Sequence, residues 1–246
     1  MNRMISRATA EQLLQQILDL GLPTHYDYEK HRLILLDEQE NEQVSFRLPL
    51  TTPPLQNLSL PQAQLVQYVI LLIQAGNCAM GYFEDGVNLN HKVFRSYMVR
   101  KKQGKSQIKY LKTKGKSRAG SRVRLGETAE FFENINGRLQ EYFERHEIHR
   151  IALSCSKTLL PYLYDSKTAT PFHKRDERLF KIPKHVHTPI YEVMMNTNRF
   201  LQRGELLYEP IHQPLITQLL PENLNEEPEE EDEFEPEEMD DMEEPE

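Results

Sequence analysis

Acidic residues are missing from residues 86–126, 41 consecutive positions, in a chain that holds 38 Asp and Glu among 246 residues. Ordinary protein surfaces mix charge signs, so a gap this long argues against a plain solvated face. Cysteine is scarce as well. Cys78 and Cys155 stand far apart and outside any ligand spacing, which excludes a disulfide framework and a cysteine zinc site and suits a reducing cytosol. Long apolar runs are absent. The longest, Val66–Ala75, is interrupted by Gln67, Tyr68 and Gln74, too short and too polar to cross a bilayer. Met1–Ala10 carries scattered Arg with no apolar stretch behind it, so no secretory leader and no membrane partner are expected. No glycine-rich phosphate loop of the nucleotide-dependent kind is present, which argues against use of ATP or GTP. No internal repeat is visible.

The formal net charge of -8 hides an uneven distribution. The last 21 residues, 226–246, hold 15 of the acids and no Lys or Arg, leaving 30 basic against 23 acidic residues before them. The body is therefore basic, near +7, and carries an acidic tail. Such asymmetry points to a nucleic-acid binder whose tail solvates or masks it.

The pattern of apolar residues predicts a mixed α/β layer fold, with antiparallel strands and flanking helices. Residues 8–20 read as an amphipathic helix stopped by Gly21 and Pro23. His31–Leu36 and Gln43–Leu48 read as a hairpin around the polar turn Asp37–Glu42. Four prolines in residues 49–62 mark a boundary, separating a small N-terminal region (1–60) from the main domain (61–210). Val66–Ile73, Cys78–Glu84 and Val87–Val99 read as three antiparallel strands, followed by a basic loop over 100–123. Thr128–Phe143 is a helix with Phe131, Phe132, Ile135, Leu139 and Phe143 on one face. Ile148–Cys155 then reads as a buried strand reached by a parallel crossover. Pro189–Leu201 reads as a further helix, and Leu206–Tyr208 as a last strand or a tail contact. Residues 211–246 form the acidic tail, disordered from Pro221 on by composition.

The basic loop is the strongest functional signal. Residues 92–124 hold 13 Lys and Arg, and Gly104-Lys105-Ser106-Gln107 sits at the centre. Glycines 104, 115 and 120 let the backbone approach a partner closely. Glutamine does not titrate, but it donates and accepts hydrogen bonds. The expectation is a loop that sets Gln107 against RNA or a water molecule while cations hold phosphates. The phosphate-binding candidates are Arg95, Arg100, Lys101, Lys102, Lys105, Lys109, Lys112, Lys114, Lys116, Arg118, Arg122 and Arg124.

These residues also carry a resemblance. His91-Lys92-Val93-Phe94-Arg95, Gly104-Lys105-Ser106-Gln107, Lys114-Gly115-Lys116 and Ala119-Gly120-Ser121 occur in that order. Arg175-Asp176-Glu177-Arg178, Ile182-Pro183 and Thr188-Pro189 with Glu192 follow. Over roughly residues 66–203 this set resembles the VLRF family, the release-factor-like domain of peptidyl-tRNA-releasing proteins in ribosome quality control. Eukaryotic relatives carry Gly-Gly-Ser-Gln, where this chain has Lys105 in the second place. The zinc finger, ankyrin repeats and coiled coil of those relatives have no counterpart here.

The resemblance implies a release-factor-like, RNase H-like core that needs no cofactor. It implies action on large ribosomal subunits, with rRNA and P-site peptidyl-tRNA as partners; a cytoplasmic monomer is expected from the cysteine usage and the lack of a coiled-coil pattern. Gln107 becomes the catalytic candidate, with Gly104 and Ser106 shaping the loop. Either ester hydrolysis or cleavage near the tRNA 3′ CCA end would free the peptide. The rival reading is a non-catalytic factor that occupies the ribosome, as in hibernation.

Other constellations read more plainly. His185-x-His187 lacks a Cys, Asp or Glu in ligand spacing and reads as part of a basic segment, Lys181–His187, that adds to RNA contact. Ser154-Cys155-Ser156 has no nucleophile-elbow glycines and reads as a buried thiol. His146 and His149 read as caps or surface groups, and Asp176 with its arginines as a structural ion pair.

Overall fold

The computed structural model describes residues 1–55, 65–96 and 117–220, with the backbone alone described over 117–125. Two five-stranded sheets organise these residues.

The first sheet has the order β1-β10-β4-β3-β2 and is antiparallel throughout. Its strands are β1 (Asn2–Ile5), β2 (Thr24–Asp27), β3 (Arg32–Leu36), β4 (Glu42–Arg47) and β10 (Gly204–Tyr208). The hairpin read from the sequence is β3–β4. Asp37 ties its turn, because Oδ1 accepts from the Gln39 and Asn41 backbone N–H groups at 2.8 Å each. Helix α1 (Arg7–Asp19) starts where the Ser6 hydroxyl accepts from the Thr9 N–H at 3.2 Å, a side-chain N-cap. It buries Leu13, Leu14 and Ile17 against the sheet.

Strand β10 comes from the far end of the chain and inserts between β1 and β4. A 3-10 turn (Pro210–His212) then leads into a short helix, Gln213–Leu219, which buries Ile216, Leu219 and Leu220 in the same core. The tail drawn from the sequence at 211 therefore begins too early. Leu215, Ile216, Leu219 and Leu220 recur at three- and four-residue spacing and make an apolar stripe before the acids start.

The second sheet has the order β7-β6-β5-β8-β9. Strands β5 (Gln67–Gln74), β6 (Asn77–Glu84) and β7 (Val87–Arg95) are antiparallel neighbours, whereas β8 (Arg150–Cys155) and β9 (Leu179–Lys181) run parallel to β5. Side chains of β5 and β6 alternate between two cores, as a period of two requires. Val69, Leu71, Ile73, Cys78, Met80 and Tyr82 face helix α2 (Ser117–Arg145), which supplies Phe131, Phe132, Ile135, Leu139 and Tyr142. Tyr68, Ile70, Leu72, Ala79 and Phe83 face helix α4 (Tyr191–Gln202), which supplies Met194 and Leu201. Helix α3 (Leu160–Tyr164) leans on α2, where the buried Asn136 amide donates to the Leu163 and Thr168 carbonyls at 2.8 Å each. This mixed α/β architecture, with three antiparallel strands continued by a parallel crossover, is release-factor-like.

Helix α2 starts at Ser117, inside the segment read as loop. Arg118, Ala119, Arg122, Arg124 and Leu125 are strong helix formers, so propensity outweighs the glycines that made this stretch look like loop. Strand β7 is described as Val87–Arg95, and residues 97–99 of the strand read from the sequence lie outside the described residues.

Specific polar contacts join the two sheets. The Leu50 N–H donates to the Leu201 carbonyl at 2.8 Å, and Arg7 pairs with Asp85 at 2.7 Å. Buried Arg47, held within the first sheet by Glu205 at 3.0 Å, lies 4.6 Å over the Phe200 ring of α4. His31 is fully buried between the sheets, with φ 52°, and meets Phe180 of β9 edge-on at 6.5 Å. Its Nε2 lies 3.0 Å from the Pro49 carbonyl, which only accepts, so Nε2 carries the proton. Nδ1 then accepts from the Tyr26 hydroxyl at 2.6 Å. Burial, then the nearby Arg150 charge, pulls the His31 pKa down to about 3. Arg150 is itself buried, with its guanidinium 5.1 Å from the Tyr28 ring and 5.8 Å from that of Phe180.

The folded-state pKa of His31 lies below the unfolded value of about 6.5, so the unfolded chain takes up this proton first. Stability from this group is complete above about pH 6.5 and falls as the pH drops toward 3, by about 1.4 kcal/mol per pH unit. Urea unfolding of wild type and His31→Asn at pH 7 and pH 5 checks this. The wild type is expected to lose stability on acidification, and the variant to start lower but lose less.

Candidate functional site

The candidate catalytic residues Gly104, Ser106 and Gln107 lie outside the described residues, as do Arg100, Lys101, Lys102, Lys105, Lys109, Lys112, Lys114 and Lys116. What is described is the frame that holds both ends of their segment. Arg95 closes β7 opposite Asn77, and the Ser96 N–H donates to the Gly76 carbonyl at 2.7 Å. The segment therefore leaves the sheet at the end where β5 finishes. Register sets the neighbours there: Ile73 of β5 is paired with Cys78 of β6 on one side and with Cys155 of β8 on the other. The carboxyl ends of parallel strands are the usual place for binding sites in α/β sheets.

The segment returns through α2. At about 1.5 Å per residue its 29 residues span roughly 43 Å, whereas eight-residue β5 spans about 26 Å. The first buried side chain of the described part of α2 is Phe131. The leading turns, which carry Arg118, Arg122 and Arg124, therefore project past the end of the sheet on the side where the basic segment departs. Arg95 is exposed and lines an open cleft of about 550 Å³ with Val93, Ile190, Tyr191 and Glu192. Of the twelve phosphate-binding candidates, the structure thus gathers Arg95 and the helical positions 118, 122 and 124 at one end.

Two other features reach the same end. Ser156 and Lys157 follow β8 and are exposed, with the Ser156 and Thr158 hydroxyls 2.9 Å apart. The Lys181–His187 segment follows β9, and the Gln74 amide donates to the Val186 carbonyl. Sequence reasoning passed over Lys157, and the available signal was its place just past a buried strand.

The two thiols at this end make poor nucleophiles. Burial pushes the Cys155 thiol up to about 12 and the Cys78 thiol well above its usual value. Each stands opposite Ile73 on a neighbouring strand, so their Cα atoms are roughly 10 Å apart, too far to be bridged. His185 and His187 have ring centroids 4.9 Å apart, and no cluster of three or more metal-ligating side chains occurs among the described residues. At the opposite end of the sheet, Asp176 forms a two-point pair with Arg178 at 2.9 and 2.8 Å, which holds the Asp176 carboxyl below its usual range. It is the structural pair expected, although Arg175 takes no part.

Residues 68–209 match the family described as the Bacteroidetes VLRF1 release factor. The chain belongs to this family. The match covers the second sheet, its helices and β10, so the segment with Gln107 lies inside it. The solved structure titled "Vms1 mitochondrial localization core" is similar at 12% identity and a TM-score of 0.37, covering 59% of this chain and 58% of that one. The chain thus spans under two thirds of that structure's length. No curated protein matches the chain. No helix among the described residues is long and apolar enough to cross a membrane.

The thiol shift has a direct readout. With its pKa near 12, Cys155 holds roughly a thousandth of the thiolate of a free cysteine at pH 8. Iodoacetamide labelling of the folded protein, followed by peptide mass mapping, is expected to modify Cys155 at least about tenfold more slowly than glutathione, the low thiolate fraction being partly offset by the greater nucleophilicity of a high-pKa thiolate. Labelling at the free-thiol rate would contradict the burial.

Proposed function

We propose that this release factor frees nascent peptide from P-site peptidyl-tRNA on stalled large ribosomal subunits in the cytoplasm, with Gln107 as its catalytic residue. One observation carries the reading. In a member of a release-factor family, the acid-free segment with Gln107 is inserted between β7 and α2 at the carboxyl end of β5. A segment anchored on a rigid strand and a rigid helix can carry its tip into a narrow RNA cavity. Its lysines and arginines neutralise phosphates there without reading sequence.

Neither thiol described at the anchor is activated, and we assign the chemistry to Gln107, a water and the RNA. A neutral amide does not take up a proton at pH 7. It orients an attacking water, or donates to oxygen as negative charge develops. In ester hydrolysis the water oxygen bonds to the acyl carbon and the ester C–O bond breaks. The peptide leaves as a carboxylate and the tRNA keeps its 3′-terminal hydroxyl. In the other route a 2′-hydroxyl attacks the neighbouring phosphate near the CCA end. The P–O5′ bond breaks, leaving a cyclic phosphate on the tRNA and the peptide on the released nucleotide. Lys101, Lys102 and Lys105 would stabilise charge on that phosphate, while Gly104 and Ser106 shape the backbone around Gln107.

A release assay on purified large subunits carrying labelled peptidyl-tRNA tests this. Gln107→Ala is expected to slow release by about 10²- to 10³-fold, the usual loss for one transition-state hydrogen-bond donor, while subunit affinity changes by less than about twofold. Mapping the tRNA 3′ end then separates the two routes. Lys101→Glu with Lys102→Glu is expected to weaken binding and flatten its salt dependence. If wild type binds subunits and releases nothing, the protein is an occupancy factor.

A further inference from the structure

Side chains at the end of β7 alternate between the two faces of the second sheet. Asn90 accepts from Arg138 and Tyr142 of α2, and Phe94 packs against the core under that helix. His91, Val93 and Arg95 face the other way, toward α4. Val93 packs against the core on that side. The His91 ring centroid lies 4.2 Å from that of Tyr191, the first residue of α4. Strand β7 is an edge of its sheet, and between its last residues and the first turn of α4 lies the open cleft of about 550 Å³.

Three kinds of chemistry meet in this cleft. Tyr191 supplies an aromatic ring that is 40% exposed although His91 lies against it, so part of the ring stays open to a planar group. Arg95 supplies a guanidinium at the sheet end from which the basic segment departs. Glu192 supplies an exposed carboxylate, the one acid lining the cleft. The two charges line the same cleft, yet no ion pair among the described residues joins them to each other or to another residue. Val93 and Ile190 make the rest of the wall apolar. A phosphate alone does not suit this set, because the carboxylate repels it. A nucleotide does suit it. Its base stacks on an aromatic ring, its phosphate meets a guanidinium, and amino groups on its edge donate to a carboxylate.

We propose that this cleft holds one unstacked nucleotide of single-stranded RNA and selects a base that carries an exocyclic amine. The base stacks on Tyr191, its phosphate meets Arg95, and Glu192 accepts from the amine. Adenine, cytosine and guanine each offer such a group. Uracil does not, and its single edge donor stands between two carbonyl oxygens that repel a carboxylate. The basic segment grips phosphates without regard to sequence, and the cleft adds discrimination at one base. It positions RNA and does no chemistry. The inference deepens the release reading and rests on RNA reaching this end of the sheet.

The test uses the full chain and fluorescein-labelled oligocytidine and oligouridine of equal length, in anisotropy titrations. Both strands carry the same charge and a pyrimidine ring, so phosphate contacts and ring size do not separate them. Wild type is expected to bind oligocytidine at least about fivefold more tightly, the lower bound for one base-edge contact. Tyr191→Ala is expected to weaken oligocytidine by about fivefold or more, the loss of one stacked base. Arg95→Gln is expected to shrink the slope of log affinity against log salt by about 0.7, one phosphate contact on a single strand. Glu192→Gln is expected to erase the preference by tightening oligouridine, because its amide donates to a uracil carbonyl, which a merely structural role would not do. The control is Tyr162→Ala, an exposed ring of α3 packed on Phe132 of α2, and it is expected to keep the wild-type preference. Equal wild-type affinity for the two strands, no binding of either, or a preference that survives Glu192→Gln would overturn the cleft. So would an equal loss in the control. Weaker binding of Tyr191→Ala to large subunits with unchanged strand affinities would make the occupant a protein and overturn it too. If the preference behaves as expected while wild type releases no peptide, the cleft stands and the release reading falls. If release proceeds and no preference is seen, the reverse holds.

Discussion

Strand β5 is bonded on both edges and covered on both faces, and most of the structure exists to meet those four demands. Residues 68–73 are all buried, so neither face can be left to water. At about 25 cal/mol per Å² of apolar surface, stripping either helix from such a strand would cost several kcal/mol. One edge pairs with β6 through a tight hairpin. The other must wait for β8, which is parallel and comes late in the chain. A parallel neighbour requires a crossover, and the crossover is α2, whose aromatic stripe covers one face. The basic segment lies inside that crossover, between β7 and α2. The most basic part of the chain is therefore inserted into the most constrained connection of the fold.

The second face carries a similar obligation. Helix α4 covers it and then hands the chain to β10, which fills the gap between β1 and β4 in the other sheet. The Tyr68 hydroxyl donates to Asn198 at 2.5 Å, and the Asn198 amide donates to the Gly86 carbonyl at 2.9 Å. Gly86 has φ +90°, and an added Cβ would meet the Gln202 amide oxygen at 2.4 Å. The β6–β7 turn is thus clamped by α4 from above and by Arg7 of α1 at Asp85. These contacts keep β7, the strand from which the basic segment departs, from swinging on its hairpin.

The parts legible in the sequence were those with strong periodicity. The stripe of α2, the β5–β6–β7 meander, the β3–β4 hairpin and the parallel return to β8 all follow from apolar spacing and turn residues. The short strands β1, β2 and β9 were not legible. Three or four residues such as Leu179–Lys181 carry too little alternation, and their pairing is fixed by partners distant in sequence. The place of β10 was hidden for the same reason, since Leu206 is opposite Phe46 and Arg3 across long separations. At the site, composition alone exposed the basic segment, and its motif order pointed to the family. Lys157 was harder to weigh, because a lone lysine in a polar stretch carries no signal until the strand before it is placed at the same sheet end as Arg95.

The central claim is that this segment delivers Gln107 to the acceptor end of peptidyl-tRNA. A photo-reactive residue installed at position 107, irradiated with large subunits that carry labelled peptidyl-tRNA, tests it most directly. The account predicts cross-links to the terminal CCA nucleotides and to the rRNA that surrounds them. Cross-links confined to ribosomal protein, or to RNA remote from the acceptor end, would contradict it.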